Sequence, residues 1–258
     1  MAFHLRFKAT IRSLVICSMY DITRFTLADM TMCGAQLREM SADATSMEEA
    51  ANAIVRYLYE NLHDANGRAC IMVRLYKTHA YGELPAELRD FGHDIMPAES
   101  FPPDTKCLTL LGTVGDLAEW NDRHASRRHR SIPLPSKRVI EQIPMIAQMV
   151  RQFGLEISSL LETQPEIIDA LDQKTYNVFF VPDARISPFI PAQAEFVIPY
   201  GVKSALGFGG VLPSGNLFAV IMFTRVPIPL ETAQMFRTIA LNVKMNILRF
   251  VGRKVFAD

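Results

Sequence analysis

The sequence predicts an α+β fold, in which a central antiparallel sheet of five to six strands is flanked by helices, with the N- and C-terminal helices on one side. Two observations predict this class. Segments with helical periodicity and short β-rich runs follow one another in the order helix, strand, strand, helices, strand, short helix, strand, strand, helix. The runs at 206–212 and 217–223 are apolar on both faces, which is typical of strands in the middle of a sheet covered on both sides.

The first part of the chain is predicted to be helical. Through 22–40, apolar residues recur at steps of three and four, at Met30, Cys33, Leu37 and Met40. A second helix is predicted to begin after Ser46, which suits an N-cap. Glu49 follows three residues later and completes the spacing of a capping box.

Three further strands and several helices are predicted along the rest of the chain. The runs at 69–77, 106–114 and 176–181 are rich in β-forming residues, so each is predicted to be a strand. Helices are predicted near 86–92, at 140–161 with an interruption at Gly154, from Pro165, near 191–196, and from Pro229 to Phe250. The segment 116–139 is polar and is predicted to be irregular.

The stretch GFGGVLPSG, residues 207–215, resembles a phosphate-binding loop at first sight. A dinucleotide-binding loop requires glycine where Leu212 stands, and a Walker loop requires lysine where Asn216 stands. Both also require a helix to follow, whereas a β-rich run follows here. Pro213 and Gly215 suit the turn of a hairpin, so a β-hairpin is predicted.

The composition indicates a folded protein without an obvious macromolecular ligand. The 258 residues carry equal numbers of basic and acidic side chains, which does not favour nucleic-acid binding. No apolar run approaches the ~20 residues of a membrane helix. Cys17, Cys33, Cys70 and Cys107 form no CxxC pair, which is typical of reduced thiols in the cytosol. We therefore expect a cytoplasmic protein with no nucleic-acid or membrane partner.

No catalytic or metal-binding set is predicted. The histidines within 120–130 lie five residues apart among arginines, which disfavours a bound cation. Antiparallel pairing of the first two predicted strands is expected to place Cys70 near Thr113 and Cys107 near Tyr76, too far apart for a thiol pair. The cysteines are interpreted as small core residues, and the protein is not expected to be an enzyme.

The segment WNDRHASRRHR, residues 120–130, concentrates arginine and histidine side chains. Guanidinium groups at this density suit an anionic ligand, with Trp120 as a stacking surface. A solvated basic loop that meets an acidic partner, or nothing, accounts for the same pattern. The sequence leaves both interpretations open.

Several segments resemble the GAF domain, a small-molecule sensor fold related to PAS. They are the predicted helix at 46–62, RLYKTH at 74–79, YNVFFVP at 176–182, and the hairpin from YGVKSALGFGG to LPSGNLFAVIMF with its closing helix. More narrowly, the segments RLYKTHAYGEL, IPLPS, PMIAQMVRQFGLE and IPYGVKSALGFGG look like the input domains found before bacterial histidine kinases and related signalling outputs. The resemblance implies an N-terminal helical extension at 1–45, a GAF-like sensory domain at 46–250 and a C-terminal tail at 251–258. Because no output domain follows Phe250, a sensor of this kind is expected to signal in trans.

The resemblance places a small ligand between the sheet and the segments 116–135 and 182–200. The expected ligand-binding residues are Trp120, Arg123, His124, Phe179, Arg185, Phe189, Phe196 and Tyr200. The sequence identifies neither the ligand nor a cofactor. Two alternatives stay open: a ligand-free interaction module whose pocket is filled by apolar side chains, and a thiol-dependent redox enzyme on the same scaffold.

The first and last helices are expected to build a parallel homodimer. Apolar residues occur on more than one face of the last helix, so one face can cover the sheet while another meets a partner helix, although a purely internal helix accounts for the same pattern. The expected interface residues are Met30, Leu37, Phe236, Val243, Ile247 and Phe250. A ligand is expected to change the angle between the dimer helices, and a signalling protein such as a histidine kinase is an expected partner.

Overall fold

Antiparallel strands alternate with helices in the computed structural model, which describes residues 19–97, 100–161 and 177–257. The strands are β1 (Tyr20–Asp21), β2 (Leu62–Asp64), β3 (Gly67–Arg68), β4 (Cys70–Ala80), β5 (Lys106–Gly115), β6 (Ser131–Pro133), β7 (Val178–Val181), β8 (Ser204–Val211) and β9 (Leu217–Thr224). The helices are α1 (Leu27–Glu39), α2 (Met47–Asn61), α3 (Ala86–Ile95), α4 (Lys137–Glu141), α5 (Pro144–Gln152), α6 (Ile157–Leu161) and α7 (Leu230–Leu248).

Six of the strands form one sheet in the order β6-β5-β4-β9-β8-β7, and every neighbouring pair is antiparallel. The strand β4 lies in the middle, with Arg74 opposite Thr113 of β5 and Ile221 of β9. All residues of β4 are buried except Ala80, because both faces of the sheet are covered. The predicted α+β class and the predicted sheet of five to six strands are confirmed.

Two apolar layers cover the sheet. On one face, α1, α2 and α7 pack against side chains such as Leu75, Phe208 and Val220. On the other face, α4, α5 and α6 and the segment 182–203 pack against side chains that include Ile221. The first and last helices therefore lie on one side of the sheet and contact each other, as the sequence predicted.

Side chains at the helix starts explain where α1 and α2 begin. The Thr26 hydroxyl accepts the Asp29 N–H at 3.2 Å and the Asp29 carboxylate accepts the Thr26 N–H at 2.9 Å, a capping box that starts α1 later than predicted. The Ser46 hydroxyl accepts the Glu49 N–H at 3.2 Å, so the predicted cap of α2 is confirmed. The Glu49 carboxylate instead accepts the Thr45 N–H, at 2.7 Å, one residue earlier than the predicted box.

The predicted register between β4 and β5 is wrong. The sequence placed Cys70 near Thr113, whereas Arg74 lies opposite Thr113 and His79 lies opposite Cys107. The difference arises because β4 continues past the predicted strand and a β-bulge interrupts its pairing with β5. Cys107 faces a residue nine positions along β4 from Cys70. At 3.4 Å per residue their Cα atoms are about 30 Å apart, so the two thiols still form no pair.

The glycine-rich stretch forms the predicted hairpin between β8 and β9. Gly215 has a φ of +75°, a conformation that glycine adopts without strain. The Gly215 N–H donates to the Leu212 oxygen at 2.8 Å, and the Leu212 N–H donates to the Asn216 oxygen at 2.8 Å. All residues of both strands are buried, and the stretch continues into the exposed turn at Pro213 and Ser214, so it forms a hairpin followed by a strand and not a loop at the start of a helix.

The remaining predicted elements are recovered with shifted ends. Gly154, with a φ of +79°, separates α5 from α6 and confirms the predicted interruption. The segment predicted to be irregular contains the short β6 and α4, and the short helix predicted near 191–196 is a π-helical turn at Gln193–Val197. The helix predicted from Pro165 lies outside the described residues.

The predicted N-terminal extension belongs to the main fold. From residue 19 onwards it contributes β1, which pairs in parallel with β2 through Tyr20 and Leu62. Its helix α1 buries Cys33 and Leu37 in the same core as α2 and α7. The predicted boundary at residue 45 therefore separates parts that share one core.

The predicted C-terminal tail also packs onto the domain. The first N–H groups of α2, at Met47 and Glu48, donate to the backbone oxygens of Lys254 and Val255 at 3.1 and 2.8 Å. These N–H groups have no partner within their own helix, so the tail completes the start of α2. The Phe256 ring packs against His79, with 5.5 Å between the ring centroids.

The expected dimer-interface residues lie inside the chain. Leu37, Phe236, Val243 and Ile247 have no exposed surface, Phe250 is buried, and Met30 packs partly buried against the same core. The sequence predicts two apolar faces on the last helix, one that covers the sheet and one that meets a partner helix. The face that was assigned to a partner is in fact the internal face, because α1 and α7 pack against each other within one chain.

Gly112→Ala is expected to destabilise the protein by about 1–3 kcal/mol, because overpacking forces the backbone to move. A Cβ at Gly112 would lie 2.7 Å from the backbone of Ala51 in α2. The control is Gly92→Ala in α3, where a Cβ would meet the ring of Pro133 at 3.1 Å and the helix gains propensity. Urea unfolding of both variants measures the difference. Equal stability of Gly112→Ala and the wild type would contradict this close approach.

Candidate functional site

A cavity of about 670 Å³ lies between the sheet and the segments that cover its second face. Its floor is formed by side chains of three neighbouring strands, namely Met72, Arg74, Tyr76, Leu108, Ile221 and Phe223. Its walls are formed by 126–129, by the start of α5 and by 190–196. The walls and floor are mostly apolar, with a few charged and hydroxyl groups among them.

Three aromatic rings build one wall. Trp120 contacts Tyr200 and Phe196 with centroid distances of 4.7 and 5.8 Å, and Phe196 contacts Phe223 of the floor at 4.9 Å. These edge-to-face contacts hold flat apolar surfaces against the cavity. A Cβ at Gly115 would lie 2.7 Å from the indole, so the end of β5 can approach Trp120 this closely only as glycine.

The guanidinium of Arg74 lies in the floor. Arg74 is 8% exposed, and its Nη1 donates to the Tyr76 hydroxyl at 3.3 Å. Its Nη2 donates to the Ser126 hydroxyl at 3.2 Å, which ties the wall segment 126–129 to the sheet. The Nε has no hydrogen-bond partner, and no carboxylate within the described residues forms an ion pair with Arg74.

Two exposed ion pairs lie at the cavity mouth. Arg127 pairs with Glu119 at 3.6 Å, and Arg128 pairs with Glu195 at 3.7 Å. The second pair joins the wall segment 126–129 to the π-helical turn on the opposite side. Exposed pairs of this kind contribute about 0–1 kcal/mol, so they are easily exchanged for other partners.

His129 completes this end of the cavity. Its φ of +64° is unusual for a residue with a Cβ, and the turn directs the segment back towards β6. Desolvation, together with the positive charges of Arg74 and Arg128, lowers the pKa of His129 to about 4. The imidazole is therefore neutral at pH 7 and can both donate and accept a hydrogen bond.

Three of the eight expected ligand-binding residues line the cavity: Trp120, Phe196 and Tyr200. Phe179 does not, because it is fully buried in the core against Gly207 of β8. Phe189 packs partly buried against the same core, and Arg185 is exposed and pairs with Asp183 at 3.4 Å.

Arg123 and His124 also point away from the cavity, which corrects their expected role. The Arg123 Nε and Nη1 donate to Glu48 and Glu87, each at 2.6 Å, and the His124 Nδ1 lies 3.1 Å from Glu87. Arg123 is 4% exposed and lies over the ring of Phe256. It joins α2, α3, the tail and the segment that carries the cavity wall, so its role here is structural.

The polar residues that do line the cavity were missed in the sequence. Arg74 and Tyr76 alternate with Val73 and Leu75 within a strand whose residues are almost all buried. A charge at an alternate position of a buried strand is a usable signal, because it must find a partner or a ligand. Ser126 and His129 lie in a segment without periodicity, so the sequence does not indicate whether their side chains face the cavity.

Comparisons with known proteins bear on the fold. The chain matches no protein-family model and no curated protein sequence. Among solved structures it is similar to a GAF domain from a phosphoenolpyruvate-protein phosphotransferase of Coxiella burnetii, at 13% identity and a TM-score of 0.44, over 87% of this chain and 96% of that one. It is also similar to the phycoerythrobilin-bound GAF domain of a cyanobacterial phytochrome, at 10% identity and a TM-score of 0.39, over 85% and 97%.

The same comparison includes a free methionine-R-sulfoxide reductase from Neisseria meningitidis, at 12% identity and a TM-score of 0.48, over 91% of this chain and 98% of that one. GAF domains are thus among the structures that the chain is similar to, as the sequence resemblance predicted. The fold class itself is confirmed by the sheet described above. At these identities and TM-scores the similarities decide nothing about ligand or activity.

The described side chains offer no reactive thiol. Cys33, Cys70 and Cys107 are buried and free, and desolvation raises the pKa of each to about 12. His79, opposite Cys107, has its pKa lowered to about 3 by burial, so it is neutral. A reactive cysteine site pairs a thiolate with an imidazolium, whereas Cys107 and His79 are both neutral. Within the described ranges, no group of three or more potential metal ligands is found, and no helix is both long and apolar enough to cross a membrane.

Glu87→Gln is expected to lower the free energy of unfolding at pH 7. Burial acts to raise the pKa of Glu87, but the hydrogen bond and charge of Arg123, with His124, lower it below its ordinary value of 4.5. A lowered folded-state pKa stabilises the protein above the unfolded-state pKa, and this contribution is lost as the pH falls through the folded-state value. The gap between wild type and variant is therefore expected to close as the pH falls below 4.5.

The matched control is Glu119→Gln, which removes an exposed pair with Arg127. Its effect is expected to stay within about 0.5 kcal/mol at every pH. Urea unfolding of the three proteins between pH 7 and acid provides the comparison. A gap for Glu87→Gln that widens towards acid would show that the carboxylate is not stabilised by Arg123.

Proposed function

We propose that this chain is a cytoplasmic small-molecule-sensing module that binds its ligand in the cavity and signals in trans, without catalysing a reaction. The observation that carries the proposal is the cavity of about 670 Å³. Its volume lies within the roughly 300–1,000 Å³ of small-molecule sites, and it combines apolar walls with a few converging polar groups. The buried, neutral state of the described thiols supports a binding role rather than a redox role.

The mechanism is a shift in population between open and closed cavity walls. The wall segment 126–129 is held to the sheet by the Arg74–Ser126 hydrogen bond and to the opposite wall by the Arg128–Glu195 pair. A ligand that contacts both walls favours their closed arrangement. Because Arg123 lies three residues before the wall segment and contacts Glu48 at the start of α2, a movement of the wall is transmitted to the helical face.

Signalling in trans requires a surface that contacts a partner, and α7 offers one. Its internal face is buried, whereas Leu241 and Met245 are 45% and 55% exposed and are four residues apart. Met32 of α1 is 47% exposed. We propose that these residues, and not the buried ones, form the homodimer contact through which a signalling protein such as a histidine kinase is reached.

The alternative is an interaction module with a filled cavity. That reading requires bulky apolar side chains to occupy the space between the sheet and 182–200. Phe179 lies in the core and Phe189 packs against it, yet the cavity beside them stays open. The open volume favours the sensor.

Freshly purified protein is expected to carry a small molecule that is lost on denaturation, as measured by native and denaturing mass spectrometry. Ala192→Trp places an indole at the cavity wall and is expected to lower the bound fraction at least about fivefold. Ala194→Trp lies in the same turn but is exposed and does not line the cavity, so it is expected to keep the ligand. An adduct-free wild type, or equal occupancy in both variants, would contradict the proposal.

The double variant Leu241→Glu/Met245→Glu is expected to be monomeric at concentrations where the wild type is dimeric, because it places charge on an apolar contact. Sedimentation velocity over about 1–100 μM measures the change, a range in which dimer populations depend on concentration. Gln142→Glu adds a charge to an exposed position at the end of α4, on the other face of the sheet, and serves as the control. A wild type that is monomeric throughout rules out this interface.

A further inference from the structure

We infer that the cavity binds a small monocarboxylate with an apolar body, and that Arg74 is the residue that recognises the carboxylate. This inference rests on the proposed function, since it names the ligand class of the same cavity. It starts from the unusual position of Arg74. A guanidinium that is 8% exposed in the central strand has no carboxylate partner among the described residues.

The neighbouring charged residues of β4 meet burial in another way. Burial lowers the pKa of His79 to about 3, so its imidazole is neutral, and lowers that of Lys77 to about 8, so its ammonium group loses a proton more readily than an exposed lysine does. An arginine side chain keeps its proton at any pH at which the protein is folded. Arg74 therefore retains a full positive charge although only 8% of its surface is exposed.

The hydrogen-bond inventory of Arg74 is incomplete. A guanidinium carries five N–H donors in a planar fork. One is directed to Tyr76 and one to Ser126, whereas the buried Nε has no partner. The donors left over suit the two oxygens of one carboxylate, which an arginine binds through two parallel hydrogen bonds. The two protein contacts fix the orientation of the fork before the ligand arrives.

The surrounding charges favour an anion. The acidic residues that line the cavity, Glu119 and Glu195, are each held at the mouth by an arginine, at 3.6 and 3.7 Å. His129 is neutral because desolvation and the positive field of Arg74 and Arg128 disfavour its protonated form. An entering carboxylate thus meets uncompensated positive charge from Arg74 and no unpaired acidic group.

The rest of the cavity specifies the body of the ligand. Beyond Arg74 the floor is apolar, with Leu108 and Ile221, and the opposite surface includes Met145 and Met149. The rings around Trp120 offer flat surfaces for an aryl group or an alkyl chain. A second anionic group would have no further buried arginine to bind, since Arg127 and Arg128 are exposed at the mouth. These features favour one carboxylate on an apolar body over a phosphate ester or a dicarboxylate.

The test compares ligands that differ only in charge. The probes are 4-phenylbutyrate with its amide, and octanoate with its amide, each titrated into the full-length protein by isothermal calorimetry. Each carboxylate is expected to bind at least about tenfold more tightly than its amide, as a charge-assisted bidentate contact provides. Arg74→Gln is expected to reduce this ratio to about one while the affinity for the amides changes less than threefold.

Two variants control for charge and for folding. Arg74→Lys keeps the charge but loses the fork, so an intermediate ratio is expected. Arg130→Gln removes an arginine that directly follows the wall segment 126–129, lies over Phe91 and does not line the cavity, so the wild-type ratio is expected. Because an uncompensated buried charge is removed, the melting temperature of ligand-free Arg74→Gln is expected to equal or exceed that of the wild type.

Several results would overturn the inference. They are equal affinity of wild type for carboxylates and amides, an unchanged ratio in Arg74→Gln, or no binding of any probe to the wild type. The comparison of carboxylate and amide affinities in the wild type tests the carboxylate site even where a variant fails to fold. A retained ligand that proves to be neutral or cationic would refute the carboxylate while leaving the sensory function in place. If the protein retains no ligand and binds none of the probes, both the sensory function and the carboxylate site are refuted.

Discussion

A sheet covered on both faces leaves almost no room for an uncompensated charge, and most of this molecule follows from that constraint. Strands β8 and β9 are apolar on both alternating faces, and β4 is buried along nearly its whole length, because helices cover one face of the sheet and short helices and loops cover the other. Each charged group within the sheet then has to lose its proton or find a partner. Arg74 contacts two hydroxyl groups but forms no ion pair with a carboxylate of the described chain, and this missing counter-charge marks the cavity.

The ion pairs of Arg123 link the cavity wall to the helices α2 and α3. Arg123 is the only side chain described here that bonds to both Glu48 in α2 and Glu87 in α3, and it lies three residues before the wall segment 126–129. The backbone at 254–255 closes on the start of α2, and the Ala257 N–H donates to Glu48 at 3.0 Å. The cavity wall, two helices and the end of the described chain therefore share one buried cluster of charges.

Local signals in the sequence predicted most elements and the fold class. The cap at Ser46, the turn at Gly215 and the break at Gly154 depend on neighbouring residues only, and each is confirmed. Local signals did not predict the register between paired strands or the direction in which side chains point. The pairing of His79 with Cys107 depends on a bulge within β4 and β5, which no periodicity indicates.

The sequence predicted only part of the site, because the direction in which a side chain points depends on residues that are distant in the sequence. The aromatic wall follows from placing segments on a fold, so Trp120, Phe196 and Tyr200 were found. Arg123 and His124 were assigned to the ligand because the basic segment was considered apart from its partners. Their partners, Glu48 and Glu87, lie far away in the sequence, and only the folded chain brings them together.

The position of β4 between β5 and β9 has a consequence for biosynthesis. β4 ends at Ala80 and its second partner begins at Leu217, so one edge of the central strand stays unpaired while the intervening residues are translated. At ~5–20 residues per second this interval lasts for several seconds to tens of seconds. The nascent chain thus carries an unpaired edge of β4 until β9 emerges from the ribosome, and an unpaired strand edge is a template for pairing with another chain.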